Sequence, residues 1–146
     1  MGNALVPELY CSDIAGSLAF YTGVLGFTVR YARPEEGFAY LEREGAELML
    51  DALTAPDPAS RTWLAGPLEA PFGRGINLQI RVSDVDALHR AAVASGARIF
   101  LAMEERWYRA DDREVGNRQF ILLDPDGYLL RFYQDLGRRP RLNPRP

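Results

Sequence analysis

A pattern that occurs twice constrains this chain more than any other feature of it. An alternating apolar segment runs into Ser12-Asp13-Ile14, a helix-length stretch closes at Leu25-Gly26-Phe27, and a strand follows. The same order returns at Arg81-Val82-Ser83-Asp84-Val85, with a second such stretch closing at Ser95-Gly96-Ala97. Asp13 and Asp84 stand 71 residues apart in a chain of 146, about half its length. Duplication on that scale predicts one domain of two similar halves, with its functional cleft between them.

The intervening residues keep to a period of two or of 3.6. Leu5, Pro7, Leu9 and Cys11 alternate with Val6, Glu8 and Tyr10, the signature of a half-buried strand, and Pro7 suits an edge because it lacks an N–H. Asp13 is placed to cap a helix carrying Ile14, Leu18, Tyr21 and Leu25, with Gly26 at its left-handed end. Strands are predicted at 27–32, 38–43 and 46–52. In the second half, Leu78, Ile80 and Val82 mark a strand, and Val85, Leu88, Ala92 and Val93 a helix. A strand at 98–102 follows, then a long polar loop from Glu104 to Asn117. A hairpin of 119–123 and 128–134 turns at Asp124-Pro125-Asp126-Gly127, where Pro presets φ and Gly accepts a positive one. The expected class is α+β: two β-α-β-β-β modules, 4–52 and 75–136, within a single domain 1–136. A Pro- and Ala-rich linker, 53–74, joins them, with one helical turn near Ser60–Leu64. A flexible Arg/Pro-rich tail, 137–146, completes the chain.

Composition removes several function classes. No apolar run approaches the ~18–20 residues of a membrane-spanning helix. The first residues lack the basic and apolar regions of a secretory signal, and Cys11, the lone cysteine, suits a reducing cytoplasm. The net charge of −3 hides four arginines in the last ten residues; the rest carries 13 Arg against 20 acids and repels nucleic acid. There is no lysine, hence no Schiff-base chemistry.

Ser12-Asp13-Ile14, Ser17-Leu18-Ala19-Phe20-Tyr21 and Leu25-Gly26-Phe27, followed by Leu123-Asp124-Pro125-Asp126-Gly127-Tyr128, resemble the vicinal oxygen chelate superfamily. That group holds glyoxalase I, extradiol dioxygenases, fosfomycin-modifying enzymes and bleomycin resistance proteins. The resemblance covers residues 4 to 135 and implies an open, cup-shaped barrel with the ligand inside. Its metal-dependent members hold a divalent ion with four cup-facing side chains. Carried over, those positions are Val6 and Asn77, each seven residues before a capping Asp, Arg131, four after the turn Gly, and a residue near Met49. Val has no donor atom, Arg does not deprotonate, and Asn and Met are poor ligands for zinc, iron or nickel. His89, the sole histidine, falls in the second helix. Neither a metal nor another cofactor is expected; a hard cation held by Glu8, Glu47 and Asp51 is the alternative.

Alternation assigns Leu5, Leu9, Leu48, Leu50, Ile76, Leu78 and Ile80 to the helix side of the sheets. The opposite face mixes aromatics, amides and both charge signs, as a small-molecule pocket does. The candidate ligand-binding residues there are Glu8, Tyr10, Phe38, Tyr40, Glu47, Met49, Asp51, Asn77, Arg131 and Tyr133. Trp107 and Tyr108 join them from the polar loop, as aromatic covers of the cup mouth. Glu8, Glu47 and Asp51 would meet a cation, with Phe38, Tyr40 and Tyr133 as stacking surfaces. The competing reading pairs Arg81 and Arg131 with these acids inside the protein. Arg131 could instead clamp a substrate carboxylate or phosphate. Trp107 could equally plug its loop onto the barrel or a partner.

The expected function is a metal-free small-molecule binding protein of the bleomycin-resistance type, sequestering a planar or amine-bearing compound. A homodimer is expected, because half-cups leave sheet edges uncovered. No nucleic-acid or membrane partner is expected. Two alternatives stand beside this: a metal-independent isomerase or lyase using Glu8 or Glu47 as base with Arg131 holding an anion, and a glyoxalase-like metalloenzyme with displaced ligands.

Overall fold

The computed structural model describes residues 2–57 and 62–141. Both modules are present, in the order β1 (Glu8–Cys11), α1 (Ile14–Ala19), β2 (Thr28–Arg33), β3 (Phe38–Arg43), β4 (Ala46–Ala52), then β5 (Asn77–Arg81), α2 (Val85–Ala94), β6 (Arg98–Ala110), β7 (Arg113–Leu123), β8 (Leu129–Pro140). They form two four-stranded sheets, β1-β4-β3-β2 and β5-β8-β7-β6, neither closed into a barrel. In each, the first strand of the module lies parallel to the last and the other pairings are antiparallel. The architecture is the α+β pair of β-α-β-β-β modules expected from the repeat.

Both helices start as the repeat implies. Asp13 accepts the Gly16 N–H at 3.2 Å, and Asp84 accepts that of Ala87 at 3.0 Å. After Ala19 the first helix loosens into a π-helical turn, Phe20–Val24, and Leu25, Tyr21 and Phe27 drop into the core. The helix-facing sides of both sheets share one apolar cluster. Leu9, Leu41, Leu48 and Leu50 enter it from the first half, and Ile80, Phe120, Leu122, Leu130 and Phe132 from the second. Period-two alternation therefore leaves one face of each sheet turned away from the helices.

The two sequence landmarks hold each other. Tyr21 donates its hydroxyl to Asp124 at 2.8 Å, and Asp124 also accepts the backbone N–H groups of Asp126 and Tyr128, each at 2.9 Å. Asp126 accepts from the Ser12 hydroxyl at 2.5 Å, and Tyr128 donates to the Tyr10 carbonyl at 3.0 Å. The Asp-Pro-Asp-Gly turn of the second half thus clamps the strand-to-helix junction of the first.

Four expectations need correction. The segment from Glu104 to Asn117 is no loop: β6 and β7 run on as a ribbon that pairs Ala110 with Arg113 around an Asp111-Asp112 turn, Asp111 having a φ of 58°. The tail read as flexible from Gly137 is strand as far as Pro140, where β8 pairs with Arg113 of β7; residues 142–146 lie outside the described ones. The first strand is shorter than its alternation, although the Met49 N–H still donates to the Pro7 carbonyl at 2.8 Å. Of the helical turn expected near Ser60–Leu64, Ser60 and Arg61 lie outside the described residues, and 62–64 are not helical.

Candidate functional site

On the first sheet the registers line up the cup-facing residues in rows. Arg33, Phe38, Asp51 and Tyr10 form one row across β2, β3, β4 and β1, and Tyr31, Tyr40, Met49 and Glu8 form the next. Six of the expected residues (Glu8, Tyr10, Phe38, Tyr40, Met49 and Asp51) are therefore neighbours, and Glu47 lies one cup position from Met49 along β4.

These side chains are already engaged. The Arg33 guanidinium lies 4.0 Å from the Phe38 ring centroid and bonds Glu36 at 2.6 Å, so the cation–π surface offered to a ligand carries an internal cation. Tyr40 is buried under Tyr31, the rings stacked at 5.1 Å and 19°, which leaves half-exposed Tyr31 as the open aromatic face. Tyr10 is buried and its hydroxyl accepts the Trp63 N–H at 2.6 Å; that burial raises its pKa. A cavity of about 420 Å³ opens beside Gly2, Arg30, Tyr31 and Tyr40.

The acids divide into two kinds. Glu47 accepts the Asn3 backbone N–H at 2.6 Å and pairs with Arg30; the Asn3 bond first, then Tyr40 and Arg30, holds its carboxyl below the ordinary range. A carboxylate so committed is a structural anion. Asp51 is the opposite case: desolvation first, then the adjacent Glu8 carboxyl, pushes it up to about 6. Asp51 is thus an ionisable group of this face that responds near neutral pH.

The second sheet carries Asn77, Gln79, Arg131 and Tyr133 on its open face. Gln79 is in register with Arg131, whose guanidinium donates to the Gln79 carbonyl rather than to Glu8 or Glu47, as the pairing alternative supposed. A cavity of about 330 Å³ is lined by Gln79, Tyr108, Val115, Asn117, Arg131, Tyr133 and Asp135. Tyr108 reaches it from the β6–β7 ribbon and accepts the Gln119 side-chain N–H at 2.6 Å. Trp107, one residue earlier, points to the other side of the ribbon. There it packs on Gly116 with the Arg139 guanidinium 4.0 Å from its centroid. The structure thus separates the two aromatics that were read as one cover.

Sequence reading missed Tyr31, Arg30 and Gln119. A register shift between Val29 and Tyr31 lets Arg30 and Tyr31, adjacent in sequence, both serve the open face, which period-two counting does not find. Gln119 sits at the margin of what was taken for a loop. Its position across from Tyr133 would have placed it had β7 been read in full. Cys11 is buried on the helix side, and desolvation pushes its thiol up to about 12, so it is no nucleophile for this face.

The superfamily metal does not fit the side chains present. Arg131 is bonded to Gln79, and Glu47 is tied to Asn3 and Arg30. Among the described residues no group of three or more His, Cys, Asp or Glu side chains lies close enough together to hold an ion.

The chain matches the profile of the Glyoxalase/Bleomycin resistance protein/Dioxygenase superfamily over residues 4–132. A bleomycin resistance protein of Geobacillus stearothermophilus is 26% identical over 90% of this chain and 96% of that protein. A superfamily member from Vibrio splendidus 12B01 is 39% identical over 90% of this chain and 97% of that one, with a TM-score of 0.40. TioX from Micromonospora sp. ML1 shares the fold at a TM-score of 0.68, with 22% identity over 92% of this chain and all of that one. Since the profile takes in both modules and the two landmarks that clamp each other, this chain belongs to the Glyoxalase/Bleomycin resistance protein/Dioxygenase superfamily.

Proposed function

We propose that this protein is a metal-free binding protein that sequesters a planar, amine-bearing small molecule, as its bleomycin-resistance relatives are named for resisting one. The observation that carries the reading is the Glu8–Asp51 carboxyl pair set in an aromatic row, with Tyr31 open beside it. A ligand ammonium would take the place that the Arg33 guanidinium holds over Phe38, and a flat ring would stack on Tyr31. Sequestration needs no nucleophile and no metal, which agrees with a donor set of Val6, Asn77, Met49 and Arg131. A homodimer in the cytoplasm belongs to this reading, since β2 and β6 end their sheets as uncovered edges.

The test is calorimetric titration of EDTA-treated protein with bleomycin, a set of planar aromatic amines, and their uncharged analogues. Saturable binding that prefers the amines, and that weakens at least about tenfold in Asp51→Asn and in Tyr31→Ala, is the expected result. Equal uptake of amines and uncharged analogues, or uptake only after a metal is added, would sink the reading.

One observation favours a second reading, a metal-independent isomerase or lyase. Asp51, held near pH 6 beside Glu8, has the proton affinity a general base needs, whereas Glu47, held low, does not. Turnover of a small carbonyl or carboxylic substrate that disappears in Glu8→Gln and Asp51→Asn would replace sequestration by catalysis.

A further inference from the structure

We infer that the second sheet carries a separate site for an aromatic carboxylate, with Arg131 as the residue that holds the anion. The cavity of about 330 Å³ beside Arg131 stands on its own sheet, so this inference is independent of the cation reading above.

Arg131 differs from the other arginines of the described chain that bond a side chain. Arg30 pairs with Glu47, Arg33 with Glu36, Arg43 with Glu44, Arg118 with Asp86 and Glu105, and Arg139 with Glu114. Arg131 instead bonds the neutral amide of Gln79, and its Nε–H, like that of Arg43, is shut off from solvent with no acceptor. A guanidinium presents five donors in a planar fork matched to two oxygens. Here most of that capacity is unspent, and the charge has no counter-ion in its bond. The one acid of the cavity, Asp135, lies four residues further along β8, about 13 Å at strand rise, and it accepts the Gly137 N–H at 2.7 Å. No ion pair joins Asp135 to Arg131.

The rest of the lining says what the anion is attached to. Tyr108 and Tyr133 wall the cavity with two aromatic rings, and Val115 adds an apolar patch. Gln119, 2% exposed, spends its N–H on Tyr108 and keeps an unpartnered side-chain carbonyl behind it. That bond orients the Tyr108 ring at the edge of the cavity. The volume corresponds to roughly ten waters, the scale of one substituted ring with its carboxylate. Phosphate would match the guanidinium but leave the tyrosines and Val115 without a partner. An aromatic acid uses all of them.

The probes are benzoate, benzamide and benzylamine, titrated into the full chain and followed by ligand-observed NMR and calorimetry. Benzoate is expected to bind saturably and at least about tenfold more tightly than benzamide. Arg131→Gln should erase that preference. Gln79→Glu is the decisive variant: nearly isosteric, it gives Arg131 an internal carboxylate and should abolish benzoate binding while leaving the guanidinium in place. Circular dichroism confirms that both variants fold, and Asp51→Asn, on the other sheet, should leave benzoate binding unchanged. Benzoate binding no tighter than benzamide, or unaltered by Gln79→Glu, overturns the inference. Benzoate binding without any uptake of planar amines would retain it while refuting the cation reading.

Discussion

The clamp between the halves makes a quantitative prediction. Asp124 is 2% exposed, and its carboxyl accepts three hydrogen bonds: two from backbone and one from the Tyr21 hydroxyl at 2.8 Å. Tyr21→Phe removes only an oxygen. The ring keeps its edge contacts with Phe20 and Phe27, at centroid distances of 5.9 and 5.6 Å, so the loss is the hydrogen bond and not the packing. A bond to a charged acceptor contributes about 1.5–3 kcal/mol net. With a urea slope of about 2 kcal/mol/M for a chain of this size, the midpoint should fall by about 1 M at unchanged slope. The deficit should also depend on pH. Desolvation raises the Asp124 pKa and the Tyr21 bond opposes it, so the variant's folded-state value climbs further. A folded pKa raised above the unfolded one means that stability falls as pH rises through the interval between them. The interval is wider in the variant, so its deficit should be larger at about pH 7 than at about pH 4. Urea melts followed by circular dichroism at both pH values test this. A midpoint shift under about 0.3 M, or a deficit that does not change with pH, would refute the reasoning.

Two further outcomes follow from the site and its ribbon. Asp51 faces Glu8, Tyr10, Arg33 and Glu36, and its value of about 6 means that affinity for an ammonium ligand should drop as pH falls through about 6. In Asp51→Asn that inflection should vanish, together with the stability that native Asp51 adds as pH is lowered from about 6 toward the ordinary carboxylate range; an identical profile in both proteins counts against the pair. Gly116→Ala would set a Cβ 2.7 Å from the Trp107 ring, which must shift, at a cost of about 1–3 kcal/mol. Loss of amide-exchange protection confined to β6 and β7 is expected, and unchanged protection would show that Trp107 does not pack there.

How much of this was legible depended on which forces act at each residue. Asp13, Asp84 and the Asp-Pro-Asp-Gly turn are local devices that use their own backbone, so spacing alone located both helices and the hairpin. Alternation placed Leu9, Leu48, Leu50 and Ile80 correctly, because one sheet face is buried against helices. It failed at Glu104–Asn117, where the ribbon runs beyond the core and neither face need be apolar. The turn there, Asp111-Asp112, lacks the glycine that usually betrays a hairpin. It failed again at Arg30 and Tyr31, where the register shift defeats the period. What the side chains bind could not be read at all: Arg33 over Phe38 and Arg131 on Gln79 follow from the shape of the folded sheet.

The duplication shows the same division between backbone and side chain. Glu8 and Gln79 each stand five residues before a capping aspartate, and each lies beside its parallel neighbour in register, Met49 in one half and Arg131 in the other. These are equivalent places on equivalent strands, yet one open face presents a carboxyl and the other a guanidinium. Strand register settles where a side chain stands, because hydrogen bonding and core burial act on the backbone and on the opposite face. Neither force acts on which group the open face carries, so that face is free to change chemistry without disturbing the sheet. A metal site needs its four places to agree in supplying donors, and Val6, Asn77, Met49 and Arg131 do not. A pocket that binds organic ions needs no such agreement. Divergence of the two faces is therefore compatible with binding of organic ions and leaves no four-donor set for the superfamily metal.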